Sequence, residues 1–273
     1  MDTVAIGDVH GRADLLERML EYIYVNLPRS RIVFLGDIID RGPDSRQAMD
    51  LVEHELARQP ASVLIQGNHE ELLLRFLDKG SAYSRGWRYN GGDATIASYG
   101  LQGYEYDDEE GYGRFTDDLA TRFLEENSSH VELARNALPC LQTDDHFFVH
   151  AGIDPWIPMD EQDPYLMRWK SRPILAHTGY LPKTVIHGHH VIESHRPEVY
   201  KSRVSLDTGA YYSNKLTAVL LPADKSLATF LVSSGAVGTT YRVDEVEPYT
   251  VPERPPKSIA IDSPVLEGLM RIS

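Results

Sequence analysis

Short apolar runs rich in β-branched residues mark the first part of the chain: Thr3 to Ile6, Arg31 to Leu35 and Val63 to Gln66, each stopped by glycine. Runs this short, apolar at successive positions and bounded by turn residues, predict buried strands. A polar cluster follows each strand, and an apolar periodicity of helical spacing follows each cluster. Leu15, Leu16, Met19, Leu20 and Ile23 predict a helix opened by a cap at Asp14. Ala48, Leu51, Val52 and Leu56 predict a second, and Leu72 to Leu77 a third. Alternating strands and helices imply βαβ units and a largely parallel sheet, whose functional residues gather at the carboxyl ends of strands. The polar clusters fall at those ends.

From about Ser81 to Asp145 the strand pattern lapses into a glycine-rich stretch, an acidic run (Asp107, Asp108, Glu109, Glu110) and a helix through Leu119 to Glu125. This predicts a helical insert over one face, with the acidic run as a solvated loop. Strand-like runs resume at Phe147 to Val149, Thr184 to Ile186, Arg203 to Leu206, Thr217 to Leu221 and Ala228 to Val232. No long helix separates the last three, so a second sheet, mixed or antiparallel, is expected. Pro248, Pro252, Pro255, Pro256 and Pro264 make Val243 to Pro264 an extended strap or linker. The reading is one domain over residues 1–243, with the insert at about 81–145, and a proline-rich tail over 244–273.

Composition narrows the partners. With 273 residues the chain can bury one sizeable core. Its 41 acidic against 27 basic residues give a formal charge of -14, which repels a phosphate backbone at long range, so nucleic acid is not expected as a partner. Cys140 is the sole cysteine, which rules out an intrachain disulfide and fits a reducing cytoplasm. No basic segment leads into an apolar stretch at the amino end, and no run of ~20 apolar residues occurs, so neither secretion nor membrane insertion is expected.

The clusters carry the chemistry. In Gly7-Asp8-Val9-His10-Gly11, residues two apart on extended backbone share a face, so Asp8 and His10 can grip one ion. Gly36-Asp37-Ile38-Ile39-Asp40-Arg41-Gly42 places a carboxylate after the second strand, and its two oxygens can bridge two ions ~4 Å apart. Gly67-Asn68-His69-Glu70 adds an amide oxygen and a histidine at a helix start, and His150 and His189 follow later strands. Any one of these is more simply a turn, a cap or a hydrogen-bonded histidine. Five together point to hard or borderline divalent ions such as manganese, iron or zinc.

In that order, these motifs closely resemble the phosphoprotein phosphatases, especially bacterial and bacteriophage members related to diadenosine tetraphosphatase, over roughly Val4 to Leu220. Arg85 to Thr95 and Leu206-Asp207-Thr208-Gly209-Ala210 also look like the bacterial branch. The resemblance implies an α/β calcineurin-like metallophosphoesterase fold, a sandwich of two mixed sheets flanked by helices with a helical insert. It implies two divalent ions, manganese foremost with iron or zinc as alternatives. Asp8, His10 and Asp37 would hold the first, and Asp37, Asn68, His150 and His189 the second. Water acidified between the ions would attack phosphorus directly, with His69 as general acid oriented by Asp40. Arg41 and Asn68 would bind substrate phosphate, with Arg172, or else Arg168, as the second clamp. His187 is expected to support a ligand, not to be one. Tyr104, Tyr106, Tyr112, Tyr211 and Tyr212 are cleft candidates, Tyr211 being the one that the resemblance brings near.

The implied activity is hydrolysis of phosphomonoesters on phosphoserine or phosphothreonine proteins, with phosphotyrosine open. The alternative is symmetrical cleavage of dinucleoside tetraphosphates. A third reading is a silent module that only recognises phosphorylated partners.

Overall fold

Thr3–Ile6 (β1) and Arg31–Phe34 (β2) run parallel, Val4 opposite Ile32 and Ile6 opposite Phe34. Parallel neighbours need a crossover, supplied by helix Ala13–Asn26 (α1). A second unit adds Ser45–Arg58 (α2), Val63–Leu64 (β3) and Asn68–Lys79 (α3), β3 lying parallel to β2. The computed structural model describes residues 1–101 and 108–251. Its insert comprises Ser81–Trp87 (α4), a kinked turn at Arg88–Gly92, Asp93–Ser98 (α5), Glu109–Glu126 (α6) and Ser128–Arg135 (α7). There follow Cys140–Gln142 (β4), His146–Val149 (β5), helices Pro164–Trp169 (α8) and Arg172–Ala176 (α9), Thr184–His187 (β6), Glu198–Val199 (β7) and Arg203–Ser205 (β8). A short helix, Ala210–Ser213 (α10), then leads into Lys215–Leu221 (β9), Thr229–Ser234 (β10), Arg242–Val246 (β11) and Tyr249–Thr250 (β12).

Two mixed six-stranded sheets result, in the orders β11-β10-β9-β1-β2-β3 and β12-β7-β8-β6-β5-β4. Period-two alternation explains why the strands read as unbroken apolar runs. Ala5, Val33, Leu35 and Ile65 face the other sheet and meet Phe148, Ile186, Val204 and Leu206. Val4, Ile6, Ile32 and Phe34 face the opposite way, onto α1, α2 and the insert. On the outer face of the second sheet, Phe147, Val149 and Val185 are capped by Ile153, Met167 and Ile174. The sandwich of two mixed sheets flanked by helices is therefore the fold that the motifs implied.

Three expectations are corrected. Thr217–Leu221 and the run after Ala228 join the first sheet, not the second: β9 lies antiparallel to β1, with Ile6 opposite Ala218, and β10 pairs with β9. Apolar runs report burial on both faces and carry no label for the neighbour they pair with. The acidic run is not all loop. Asp108 caps α6 by accepting from Gly111 N at 2.7 Å, and Glu109 and Glu110 fill its first turn, where carboxylates suit the amino-terminal dipole. Asp14 is inside α1, not its cap, and is held by the Arg12 guanidinium at 2.8 Å. Strand β11, Arg242–Val246, lies on both sides of the 243/244 position. Pro252, Pro255, Pro256 and Pro264, like Tyr104, Tyr106 and Asp107, lie outside the described residues. Among the described residues no helix is long and apolar enough to cross a membrane.

Candidate metal centre

The carboxyl ends of β1, β2 and β3 in one sheet and of β5, β6 and β8 in the other converge at one end of the sandwich. They deliver Asp8 and His10, Asp37, Asn68 and His69, His150, His189 and Asp207 respectively. The turns bearing these side chains are sharply bent. His10, Asp37, Asp40, Arg41 and His189 all have positive φ, between 47° and 71°. Each such non-glycine residue costs on the order of 1–3 kcal/mol, a concentration of strain typical of functional sites. Close approach also fixes Gly188, because a Cβ there would stand 1.9 Å from Asp8 Oδ1.

Asp37 is the hub. Its Oδ2 lies 3.6 Å from His10 Nε2 and its Oδ1 3.3 Å from His150 Nε2, so one carboxylate faces two donor groups. Asn68 Oδ1 joins the second group, 2.9 Å from His150 Nε2 and 2.8 Å from His189 Nδ1. Backbone carbonyls select the tautomers. His10 Nδ1 donates to Ile39 O at 2.9 Å and His150 Nδ1 to Leu35 O at 2.7 Å, which turns both Nε2 atoms toward the centre. Asp8 stands outside both compact groups, its two oxygens each accepting from His189 N at 3.1 Å.

The electrostatics fit a cation. Asp8, Asp37 and Asp207 are at most 2% exposed. Burial pushes Asp8 well above the usual carboxylate range, with Asp207 adding to it, and pushes Asp207 up to about 6. Among the described residues Asp207 Oδ2 has no hydrogen-bond partner. Burial opposes charge on His150 as well, but Asp37 and Asp8 outweigh it and hold its pKa up to about 10. His10 and His189 are driven well below the usual histidine value by burial first, then by Arg41 and by His150 respectively. An array of buried carboxylates, neutral imidazoles and an amide oxygen suits divalent ions with mixed oxygen and nitrogen ligands. The residues present could therefore hold the two ions that the motifs implied.

Beside the donors, His69 Nδ1 is 2.7 Å from Asp40 Oδ2, while its buried Nε2 has no hydrogen-bond partner among the described residues and lies 3.9 Å from Asp37 Oδ2. Arg41 is exposed and donates from Nη1 to His10 Nε2 at 2.9 Å. Arg168 is fastened by Glu71 Oε2 at 2.6 Å beside the first turn of α3. Arg172 is exposed at the start of α9. His187 faces away from the centre: its Nε2 meets Ser205 Oγ at 2.9 Å and Arg203 Nη1 at 3.4 Å on the outer face of the second sheet. Its Nδ1 donates to Gly188 O at 3.0 Å, beside His189 in the chain.

Four residues were not assigned roles from the sequence. Glu70 accepts from Asp37 N, Ile38 N and Gly67 N at 2.8–2.9 Å, tying the second cluster to the third. Its signal was legible as a capping-box acid at the third position of a helix. Asp207 repeats the pattern of a carboxylate after a buried strand. Trp87 and Thr95, from the insert, both donate to Asp40. Both lie in the Arg85 to Thr95 segment that resembles the bacterial branch, but nothing local to that segment ties them to Asp40.

The chain is 27% identical over 231 residues to the asymmetrical bis(5'-nucleosyl)-tetraphosphatase PrpE of Oceanobacillus iheyensis, spanning 80% of this chain and 87% of that one. It is 32% identical over 96 residues to a symmetrical bis(5'-nucleosyl)-tetraphosphatase of Dechloromonas aromatica, 35% of this chain and 32% of the other. It is 34% identical over 88 residues to serine/threonine-protein phosphatase 1 of Salmonella typhimurium, 32% of this chain and 38% of the other. The chain thus spans about a third of the length of these last two. A solved structure of a candidate diadenosine tetraphosphatase superposes with a TM-score of 0.58 at 17% identity, covering 87% of this chain and 95% of the other. A cold-active protein-tyrosine phosphatase of a psychrophilic Shewanella reaches 0.55 at 15% identity, covering 89% and 80%. At these identities the likeness is one of fold. A family model described as calcineurin-like phosphoesterase matches residues 1–220, a span that contains the whole convergent centre, and the chain accordingly belongs to that family of metal-dependent phosphoesterases.

Proposed function

We propose that this metallophosphoesterase hydrolyses dinucleoside polyphosphates. The observation that carries the reading is an exposed aromatic pair at the rim of the centre. Tyr211 and Tyr212 are 36% and 47% exposed, with ring centroids 4.8 Å apart. Tyr211 stands edge-on to His10 at 5.5 Å, and the Arg41 guanidinium lies 5.1 Å from its ring. The two rings stand edge to face, so a base can stack on one of them while its phosphates reach the guanidinium. Similarity to PrpE across most of both chains supports the same substrate class.

Each residue then has a task. Arg41 exchanges its bond to His10 for two phosphate oxygens, which a planar fork binds in bidentate fashion and which frees His10 Nε2 as a ligand atom. Asn68 ligates through Oδ1 and offers its amide N–H groups to the phosphate. When bound, two divalent ions, manganese foremost with iron or zinc as alternatives, neutralise phosphate oxygens and acidify water. Asp8, His10 and Asp37 would hold one, and Asp37, Asn68, His150 and His189 the other. His69, its Nδ1 directed by Asp40, gives the Nε2 proton to the leaving oxygen as the P–O bond breaks. Arg168, anchored on Glu71, is better placed than Arg172 to be the second clamp. With Cys140 free and half-buried, a reducing cytoplasm suits the chain.

Hydrolysis of phosphoserine or phosphothreonine proteins is the second reading, favoured by the match to serine/threonine-protein phosphatase 1. A silent module predicts a broken donor set, whereas the sequence carries each residue of the proposed set. Manganese-reconstituted protein should be assayed in parallel on diadenosine tetraphosphate and on phosphoserine, phosphothreonine and phosphotyrosine peptides. The expected result is a kcat/KM about a hundredfold higher on the nucleotide, a difference of about 2.7 kcal/mol. Paired ADP would mark symmetrical cleavage, and ATP with AMP asymmetrical cleavage. Dominant peptide turnover would overturn the reading in favour of a protein phosphatase.

A further inference from the structure

Asp40 is fully buried, and among the described residues its only ionisable partner is His69. Its remaining acceptor capacity is taken by two neutral donors of the helical insert. Trp87 Nε1 donates to both Oδ1 and Oδ2 at 3.0 Å, and Thr95 Oγ1 donates to Oδ1 at 2.6 Å. The Asp40 backbone is clasped by the same element. Asp40 N donates to Thr95 Oγ1 at 3.0 Å, and Arg41 N to Gly91 O at 3.2 Å.

Trp87 has little freedom to do otherwise. Its ring stacks on Phe76 of α3 at 4.9 Å, and a Cβ at Gly92 would fall 2.7 Å from the indole. Trp87 and Thr95 flank the kink at Arg88–Gly92, where Gly91 has φ 106°. The kink lets two successive helices present an indole N–H and a hydroxyl to one carboxylate. A buried indole could be satisfied by any carbonyl. Here it meets the carboxylate that directs the His69 imidazole.

We propose that Trp87 and Thr95 are positioning residues for proton donation: by fixing both oxygens of Asp40 they set the direction of His69 Nε2. The helical insert is then part of the machinery that cleaves the leaving group. This rests on the reading of His69 as the proton donor. Without the two donors the carboxylate can rotate, and the imidazole it holds by one bond swings with it. A misplacement of about 1 Å can cost as much as about a hundredfold in rate.

The test is leaving-group dependence in the manganese-loaded enzyme, on phenyl phosphate and 2,4-dinitrophenyl phosphate, for Trp87→Phe, Thr95→Val, Thr95→Ser and His69→Asn. A poor leaving group needs the proton and a good one does not. Trp87→Phe and Thr95→Val should slow phenyl phosphate about tenfold or more and the dinitrophenyl ester no more than about twofold, with bound manganese unchanged. Thr95→Ser, which keeps the hydroxyl, should restore the phenyl phosphate rate. If His69→Asn slows both esters equally, the proton-donor reading fails. If His69→Asn is selective while Thr95→Val slows both esters equally or neither, or Thr95→Ser does not rescue, the positioning role is overturned.

Discussion

Glu70→Gln is the most informative single-atom change in the chain. Glu70 is fully buried and uses both oxygens on backbone: Oε1 accepts from Ile38 N at 2.8 Å, and Oε2 from Asp37 N and Gly67 N at 2.9 Å each. Burial and the nearby Asp37 raise its pKa, so the carboxylate works against its surroundings to hold these groups. Glutamine keeps one acceptor and turns an NH2 group toward at least one backbone N–H. Leaving one buried donor unsatisfied costs about 1–3 kcal/mol, and each remaining bond loses its charge assistance, about 1 kcal/mol apiece. Relief of repulsion from Asp37 and of the desolvation penalty returns part of this. A net loss of about 3 kcal/mol is expected, which for a chain of this size lowers Tm by about 6–12 °C.

The same bonds pin Asp37 at its positive φ, so manganese affinity should fall about 10–100-fold, as for other partners of ligand-bearing segments. Urea unfolding of the metal-free protein gives the stability term, and calorimetric titration with manganese gives the affinity. Glu125→Gln, on the exposed face of α6, serves as control and should stay within about 0.5 kcal/mol. A Glu70→Gln protein that unfolds within about 1 kcal/mol of the parent and binds manganese equally well would refute the reasoning.

Asp37→Asn should abolish manganese-dependent hydrolysis on every substrate and lower the manganese bound per chain; full activity would remove it from the bridging position. His150 should be protonated at neutrality in the metal-free protein because its pKa is held up to about 10. Manganese uptake at about pH 8 should therefore release about one proton, read by titration in buffers of different ionisation enthalpy, and His150→Asn should lose that release. His187, pushed down to about 3 by burial first and then by Arg203, is neutral when folded and ordinary when unfolded. Its contribution to stability is thus complete above about pH 6.5 and is lost as pH falls toward about 3. The acid limb of the urea midpoint should carry one proton, about 1.4 kcal/mol per pH unit, that His187→Gln flattens.

What the sequence revealed of the site follows from where the information sits. Asp8, His10, Asp37, Asn68, His69, His150 and His189 each lie within a few residues of a buried strand's end, so an apolar run followed by a polar cluster points to them. The partners that orient them lie far off in the chain. Trp87 and Thr95 reach Asp40 across separations of 47 and 55 residues, and Glu70 reaches Asp37 across 33. Sheet membership was illegible for the same reason. β9 is apolar on both faces wherever it is placed, and its antiparallel match to β1 joins residues more than two hundred positions apart. Arg168 and Arg172 show a third limit: they flank the same tryptophan, Trp169, and only a bond to Glu71 of α3, 97 residues away in the chain, separates the one held in place from the exposed one.

The strained turns explain why stability and site geometry should prove hard to separate. Glycine would relieve the positive φ at His10, Asp37, Asp40, Arg41 and His189, but a glycine has no side chain to offer a metal, a phosphate or an imidazole. The strain is instead offset by bonds on the far side of each turn. Val9 N and His10 N both donate to Asp37 O at 3.1 and 2.9 Å, Glu70 holds the amides around Asp37, and the insert holds Asp40 and Arg41. Divalent ions gripping the front of the same turns would act in the same direction, by binding the folded state and not the unfolded one. At a concentration a hundredfold above Kd this amounts to about 2.7 kcal/mol per site. Manganese should therefore raise Tm in the parent and should raise it less in Glu70→Gln, where the turns are no longer held ready. An equal rise in both would mean that the ions organise the turns unaided.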